Sequence, residues 1–72
     1  MTDTELLKQI GRKIKQLRKE RKITQEQLAK RLGTWHNQIG RVERGEVSCT
    51  ITMLWHIAEE LKVHTAELLK IE

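Results

Sequence analysis

TQEQLAKRLGTWHNQIGRVERG, residues 24–45, is the stretch that determines the predicted fold. It predicts two short helices separated by a tight turn at Gly33. The second helix has a polar, hydrogen-bonding face beside an apolar face formed by Ile39 and Val42. A rigid helix with such a face is how proteins hold side chains against the edges of DNA bases. Nothing in the stretch is typical of a catalytic arrangement.

Local signals mark the ends of both helices. Thr24 and Gln27 have the spacing of a capping box, with threonine as the N-cap. Gly33 supplies the left-handed residue that ends this helix. The next helix is predicted to extend from about residue 36 to residue 44, and Gly45 terminates it.

Apolar residues at three- and four-residue spacing predict three further helices. The first extends from about residue 4 to residue 21, with Asp3 or Thr4 as its N-cap and Gly11 as a weak point in its interior. Thr50 caps a fourth helix whose apolar positions begin with Ile51. A short fifth helix lies near residues 65–70. The predicted fold is therefore all-α, a compact bundle of five short helices.

Size and composition narrow the class of protein. Seventy-two residues, 38% apolar and 33% charged, predict one globular domain with a small core. A single cysteine, Cys49, excludes an internal disulfide and a four-ligand zinc set, and it suits a reducing cytosol. No apolar run approaches the roughly 18 residues of a membrane span, and no signal peptide is evident. We therefore expect a cytoplasmic protein without metal or cofactor.

The charge is uneven along the chain. Fourteen lysines and arginines against ten acids give a net charge of +4. Eight of the basic residues lie between residues 8 and 22, together with one acid, Glu20. This run fits a basic flank for DNA phosphates and fits a solvated helix face equally well.

The polar face of the third helix has the side chains that major-groove readout requires. Asn and Gln can bond adenine with two hydrogen bonds, and Arg can bond guanine in the same way. Each good pair contributes about 1–3 kcal/mol of discrimination. The alternative is an ordinary polar surface helix, which is less favoured because a capped helix and a glycine turn precede it. The predicted base-reading residues are His36, Asn37, Gln38 and Arg41.

Phosphate contacts have their own candidates. The Thr24 hydroxyl, the Gln25 side chain and the amides at the start of the second helix can bind one backbone phosphate. Arg44 and the amides of residues 45–48, including Ser48, can hold a second one. Trp35 is predicted to pack against a sugar-phosphate or a thymine methyl group, or alternatively to cover the turn.

Three segments, ITQEQLAKRLG (23–33), IGRVERG (39–45) and MLWHIAEELKV (53–63), resemble the Xre family, the Cro/C1-type helix-turn-helix proteins of phages and bacteria. The resemblance covers roughly residues 10–69. It implies a lambda-repressor-like domain over residues 1–72, with the helix-turn-helix at about 24–44 and the third helix in the major groove. By position it carries the phosphate role to Thr24 and Gln25 and the base-reading role to the four polar residues. It also implies that Arg18 and Glu43 form a structural ion pair.

The chain departs from the family pattern at several positions. Trp35 stands where the family prefers a serine or threonine N-cap, so either Thr34 caps the third helix or the helix starts one residue away. Gly40 weakens the interior of that helix and permits close backbone approach. Cys49 replaces a usual proline, and Lys62 replaces the usual glycine after the fourth helix.

These observations predict a sequence-specific, double-stranded DNA-binding transcriptional regulator, most simply a repressor, that associates with the nucleoid when bound. One recognition helix contacts too few base pairs for genomic specificity, so a homodimer on a pseudo-palindromic operator is expected. Alternative hypotheses are a helical protein-interaction module and the antitoxin of a toxin–antitoxin pair. An enzyme, a small-molecule substrate and a membrane partner are not expected. Spare apolar surface and the resemblance place the dimer interface at Trp55, Val63, Thr65, Leu69 and Ile71.

Overall fold

The computed structural model describes residues 1–71, and within that range it contains five α-helices and no strand. The all-α prediction is confirmed. Glu72, the last residue of the predicted domain, lies outside the described residues. The helices are α1 (Asp3–Glu20), α2 (Gln25–Leu32), α3 (His36–Glu43), α4 (Ile51–Leu61) and α5 (Thr65–Leu68).

The core lies between all five helices, with α3 packed against both α1 and α2. Its members are aliphatic, and the largest fully buried ones come from every helix. Burying a side chain of this size contributes about 1.5–3 kcal/mol to the favourable free energy of folding. The largest fully buried side chains are those of Ile14, Leu28, Ile39, Ile57, Leu61 and Leu68.

The first helix begins earlier than either predicted cap implies, by one residue for Asp3 and by two for Thr4. The Thr2 hydroxyl is the N-cap and accepts a hydrogen bond from the Glu5 amide at 3.1 Å. The prediction of Asp3 or Thr4 as the cap was wrong. Asp3 lies instead in the first turn, where its negative charge is favourable at the positive end of the helix dipole.

A residue in the left-handed conformation lies at or just after the end of the first four helices. Gly33 and Gly45 have φ values of 69° and 73°. The chain also takes this conformation at two lysines, Lys22 with φ of 56° and Lys62 with φ of 58°. Since a side chain makes the left-handed region cost about 1–2 kcal/mol, both lysines occupy strained positions.

Gly11 is where α1 and α3 touch. A Cβ atom built on it would lie 2.3 Å from the Glu43 carbonyl oxygen and 2.5 Å from the Val42 carbonyl oxygen. Gly11 is therefore required for the close approach of the two backbones, and the description of it as a weak point of the helix was incomplete.

Ile51 is the clearest error in the predicted apolar stripes. The stripe of α4 is buried from Leu54 onward, whereas Ile51 is 79% exposed. Ile51 is the first residue of α4. Helical periodicity gives the direction of a side chain, but not how far along the helix the packed surface extends.

Candidate nucleic-acid interface

A buried ion pair fixes α3 against α1. Arg18 and Glu43 make two hydrogen bonds, with Nε to Oε2 at 2.6 Å and Nη2 to Oε1 at 3.1 Å. Arg18 also donates from Nη1 to the Ile23 carbonyl oxygen at 2.8 Å. The two residues are 6% and 4% exposed. Because this geometry satisfies both charges inside the fold, it holds α3 in one orientation.

Gln25 extends this pair to the start of α2. Its Nε2 donates to Glu43 Oε1 at 3.0 Å, and its amide lies 3.5 Å from where a Cβ on Gly40 would be. Gln25 thus crosses Gly40 to reach the carboxylate. The side chain predicted to bind phosphate is half-buried, and one of its amide hydrogens is already used.

The outer face of α3 carries the predicted base readers. His36, Asn37 and Arg41 are exposed, and Gln38 is half-buried. They lie on the first turn and a half of one short helix, so the structure brings them together. Since the inner face of this helix is locked, these side chains project from a rigid support.

Among the described residues, no side chain makes a capping hydrogen bond at the start of α3. Trp35 is its N-cap residue, and its carbonyl oxygen accepts from the Gln38 amide at 3.0 Å. The helix starts at His36 as first predicted, and the alternative cap at Thr34 was wrong. Trp35 is 80% exposed as a residue, so its side chain does not cover the turn.

The start of α2 has the expected capping box. The Thr24 hydroxyl accepts from the Gln27 amide at 3.0 Å, and Gln27 Oε1 accepts from the Thr24 amide at 2.9 Å. The Thr24 hydroxyl hydrogen is still available to an anion. The first amides of the helix, at Gln25 and Glu26, have no carbonyl one turn earlier to bond.

Two lysines that sequence reasoning had not singled out join this end of α2. Lys19 and Lys22 line one shallow depression together with Thr24, Gln25 and His36. The basic run along the first helix contained the signal, but it could not indicate which members face α2. The end of α1 and the left-handed turn at Lys22 bring them there.

The end of α3 is less open than predicted. The amides of Gly45 and Glu46 bond to the carbonyl oxygens of Val42 and Arg41, so they are not available to a phosphate. Arg44 Nε bonds Glu46 Oε2 at 2.6 Å, so an acid of the following loop already pairs with this guanidinium. This hydrogen bond raises the pKa of Arg44 and lowers the pKa of Glu46.

Arg41 is drawn into the same cluster. Its Nε lies 4.0 Å from Glu46 Oε1, so one carboxylate faces both exposed arginines at this end of the interface. Ser48, the last of the predicted phosphate contacts, is exposed two residues further on. The carboxylate lowers the net positive charge at this end of α3.

The residues predicted to form a dimer interface are only partly assembled. Trp55, Val63 and Thr65 line one shallow groove beside α4 and the start of α5. Leu69 is 45% exposed and Ile71 is half-buried, and neither belongs to the lining of that groove. Ile51, which was expected inside, is exposed one turn before Trp55 on α4.

Other chemistry is sparse in the described residues. No group of three or more histidine, cysteine or acidic side chains within residues 1–71 could hold a metal ion. None of the helices in that range is long and apolar enough to cross a membrane. Burial raises the pKa of the Cys49 thiol, so at neutral pH it remains protonated and is a poor nucleophile.

Comparison with known proteins gives one family and several similar structures. A family model described as Helix-turn-helix matches residues 14–68. A search of curated proteins found no match. Among solved structures, an HTH_3 family transcriptional regulator from Vibrio cholerae is 36% identical with a TM-score of 0.84, over 93% of this chain and 38% of that one. The chain therefore spans little more than a third of that regulator.

Two further structures are similar over most of this chain. The restriction-modification controller protein C.AhdI from Aeromonas hydrophila is 29% identical with a TM-score of 0.83, over 86% of this chain and 94% of that one. The hydroxypropylphosphonic acid epoxidase from S. wedmorenis is 28% identical with a TM-score of 0.84. That match covers 93% of this chain but 35% of the epoxidase, so it concerns a part of the enzyme.

Proposed function

Because the chain belongs to the Xre, or Cro/C1-type, helix-turn-helix family, we propose that it is a sequence-specific, double-stranded DNA-binding regulator that represses by occupying its operator. One observation carries the proposal. The inner face of α3 is locked by the buried Arg18–Glu43 pair, while its outer face presents polar side chains to solvent. A rigid helix with free polar side chains is suited to the major groove.

The base-reading role belongs to the outer face of α3. Asn37 and Gln38 have amides that match adenine, and Arg41 has the guanidinium that matches guanine. His36 stands at the first helical position, between α3 and the lysines beside α2. The base readers of the proposal are His36, Asn37, Gln38 and Arg41.

Phosphates on either side of the groove position the helix. At the start of α2 we assign the Thr24 hydroxyl, the amide of Gln25 and the ammonium groups of Lys19 and Lys22, which share one surface. At the far end of α3, Arg44 and Ser48 contact the second strand. Arg44 must exchange its bond to Glu46 for the phosphate, which weakens this contact. Trp35 lies at the same DNA-facing surface.

The active form is a homodimer on a pseudo-palindromic site with half-sites about one helical turn apart. A single recognition helix contacts too few base pairs to select one site in a genome. The shallow groove beside α4 and the start of α5 supplies the self-complementary surface through Trp55, Val63 and Thr65. We assign Leu69 and Ile71, which lie outside the lining of that groove, to the same interface. The protein works in the cytoplasm of a bacterial or phage-infected cell.

One observation favours a second candidate, a helical protein-interaction module, to which an antitoxin role would also belong. The exposed indole of Trp35 has the properties of an anchor for a partner protein. The adjacent face of α3, however, carries four polar side chains. A protein-docking surface would favour aliphatic or aromatic side chains there. The DNA-reading function is therefore the better supported one.

Selection of bound sequences from random duplex DNA tests the proposal, followed by a salt titration on the selected duplex. We expect a palindromic motif and an affinity that falls steeply with salt, since each neutralised phosphate releases counterions. Light scattering of the complex should show two copies of the chain on each palindrome. Enrichment of no motif, with weak and salt-insensitive binding, would exclude the DNA-reading function and favour the protein-interaction module.

A further inference from the structure

We propose that Trp35 reads the C5-methyl group of a pyrimidine at the edge of each half-site, in the major groove. Thymine and 5-methylcytosine both present this group. The inference rests on the proposed function, because it assumes that α3 lies in the groove. It assigns Trp35 a specificity-determining role in place of a contact with the DNA backbone.

The exposure of Trp35 is the first reason. Only six large hydrophobic side chains are substantially exposed among residues 1–71, and Trp35 is the most exposed of them at 80%. The other five belong to the chain terminus, α1, α4 or the segment after α5, so Trp35 alone lies in the α2–turn–α3 unit. They are Met1, Leu6, Ile51, Trp55 and Leu69.

The composition of the neighbouring face is the second reason. The outward side chains of α3 are amide, imidazole and guanidinium groups, which read hydrogen-bond donors and acceptors. A methyl group offers neither a donor nor an acceptor and is recognised by apolar contact. In this interface the apolar surface comes from the indole of Trp35.

The position of Trp35 is the third reason. It directly precedes His36, the first residue of the recognition helix, and its backbone rather than its side chain makes the first turn of that helix. The indole lines a shallow depression with Lys30 and Thr34 at the junction of α2 and α3. Because His36 also lines this depression, the indole lies at the edge of the base-reading face.

A contact between Trp35 and the DNA backbone would not depend on the base sequence. The indole N–H could donate to a phosphate oxygen, but that bond would be equally strong on every sequence. A methyl contact depends on one base. Replacing thymine with uracil removes that methyl group and leaves the hydrogen-bonding edges unchanged, so it separates the two possibilities.

The experiment starts from the duplex that random selection enriches. Each thymine is replaced in turn with uracil, and affinities are measured for the wild type, Trp35→Ala, Trp35→Phe and the control Ile51→Ala, which removes an equally exposed apolar side chain outside the proposed DNA and dimer surfaces. We expect one position in each half-site where uracil weakens the binding of the wild type about threefold to fivefold, as expected for the loss of one buried methyl group. Ile51→Ala and Trp35→Phe keep this penalty, whereas Trp35→Ala loses it.

A second set of duplexes distinguishes the two sources of the methyl group. At the same position a cytosine and a 5-methylcytosine are compared, each paired with guanine. If the wild type gains from the cytosine methyl group and Trp35→Ala does not, any C5-methylpyrimidine is recognised. If the Trp35-dependent penalty appears for uracil alone, the group recognised is that of thymine.

Several results would overturn the inference. A uracil penalty of equal size in wild type and Trp35→Ala would place methyl recognition elsewhere, as would a selected site in which no thymine substitution matters. A loss of affinity in Trp35→Ala that is equal on all duplexes would indicate a backbone contact. Each of these results leaves the DNA-reading function intact, whereas failure to select any site would remove that function and this inference together.

Discussion

The two faces of α3 differ in what they contact. On the inner face Glu43 is 4% exposed and bonds both Arg18 and Gln25, and the backbone touches Gly11 of α1. On the outer face Asn37 and Arg41 are exposed. Stability is therefore concentrated on one side of a helix eight residues long, and recognition is assigned to the other. Substitutions on the two sides should have separable effects.

The largest effect is expected from Glu43→Ala. Removing the carboxylate leaves Arg18 buried without its partner, which costs about 3–5 kcal/mol. In a domain of this size such a loss is a large part of the total stability. Urea denaturation followed by circular dichroism measures it. The control is Glu46→Ala, which breaks the exposed pair with Arg44 and should leave the midpoint unchanged; a similar loss in both variants would contradict the comparison.

Two glycines give the next largest contrast. Gly11→Ala forces a methyl group into the carbonyl oxygens of α3 and should destabilise the fold by about 1–3 kcal/mol. Gly40→Ala meets the mobile end of Arg44 at 3.0 Å and otherwise makes ordinary contacts. It should stabilise the helix by about 0.5–1 kcal/mol. Thermal unfolding of the two variants tests this, and a loss of stability in both would show that neither Gly11 in α1 nor Gly40 in α3 tolerates an added methyl group.

The two lysines in the left-handed conformation allow backbone strain and DNA binding to be tested separately. Lys62→Gly and Lys22→Gly should each stabilise the protein by roughly 1 kcal/mol, because glycine adopts this conformation without steric cost. Lys22 belongs to the proposed phosphate surface, whereas Lys62 does not. We therefore expect Lys22→Gly to reduce the slope of affinity against salt by about one unit, and Lys62→Gly to leave it unchanged. Equal slopes would remove Lys22 from the interface.

The smallest effect on stability is expected on the outer face. Asn37→Ala and Arg41→Ala should change the free energy of unfolding by less than about 0.5 kcal/mol. They should relax sequence preference at particular base pairs by about 1–3 kcal/mol, while Arg44→Ala weakens all duplexes alike. Affinities for a panel of single-base variants of the selected site test this. Uniform loss in all three variants would show that α3 is not the reader.

Much of the helical framework was predictable because its signals are local. The capping box at Thr24 and the left-handed glycine at Gly33 involve residues within one or two turns, and both are present in the structure. Local signals failed where two candidates compete within one turn. Thr2 caps α1 although Asp3 and Thr4 were equally plausible from composition.

The candidate site was predictable only in part. The four polar residues of α3 could be picked out because they are consecutive or one turn apart. The contributions of Lys19 and Lys22 were missed, since they depend on how the end of α1 meets the start of α2. The loop at Glu46 was expected to bind phosphate only modestly, but the pairing of Glu46 with Arg44 became visible only in the structure. The exposure of Ile51 was missed for a related reason. The spacing of apolar residues does not show where along a helix the packed surface ends.

The sequence by itself determined five helices, the glycines that end the second and third of them, and the polar surface of the third. These follow from hydrogen bonds and side-chain spacing within a few residues. Only the tertiary structure decided that Gly11 admits α3 against α1, that Gln25 crosses Gly40 to reach Glu43, and that Trp35 is left in solvent. The physical reason is that these outcomes depend on the distance and orientation between helices, and those are set by the packing of the whole core.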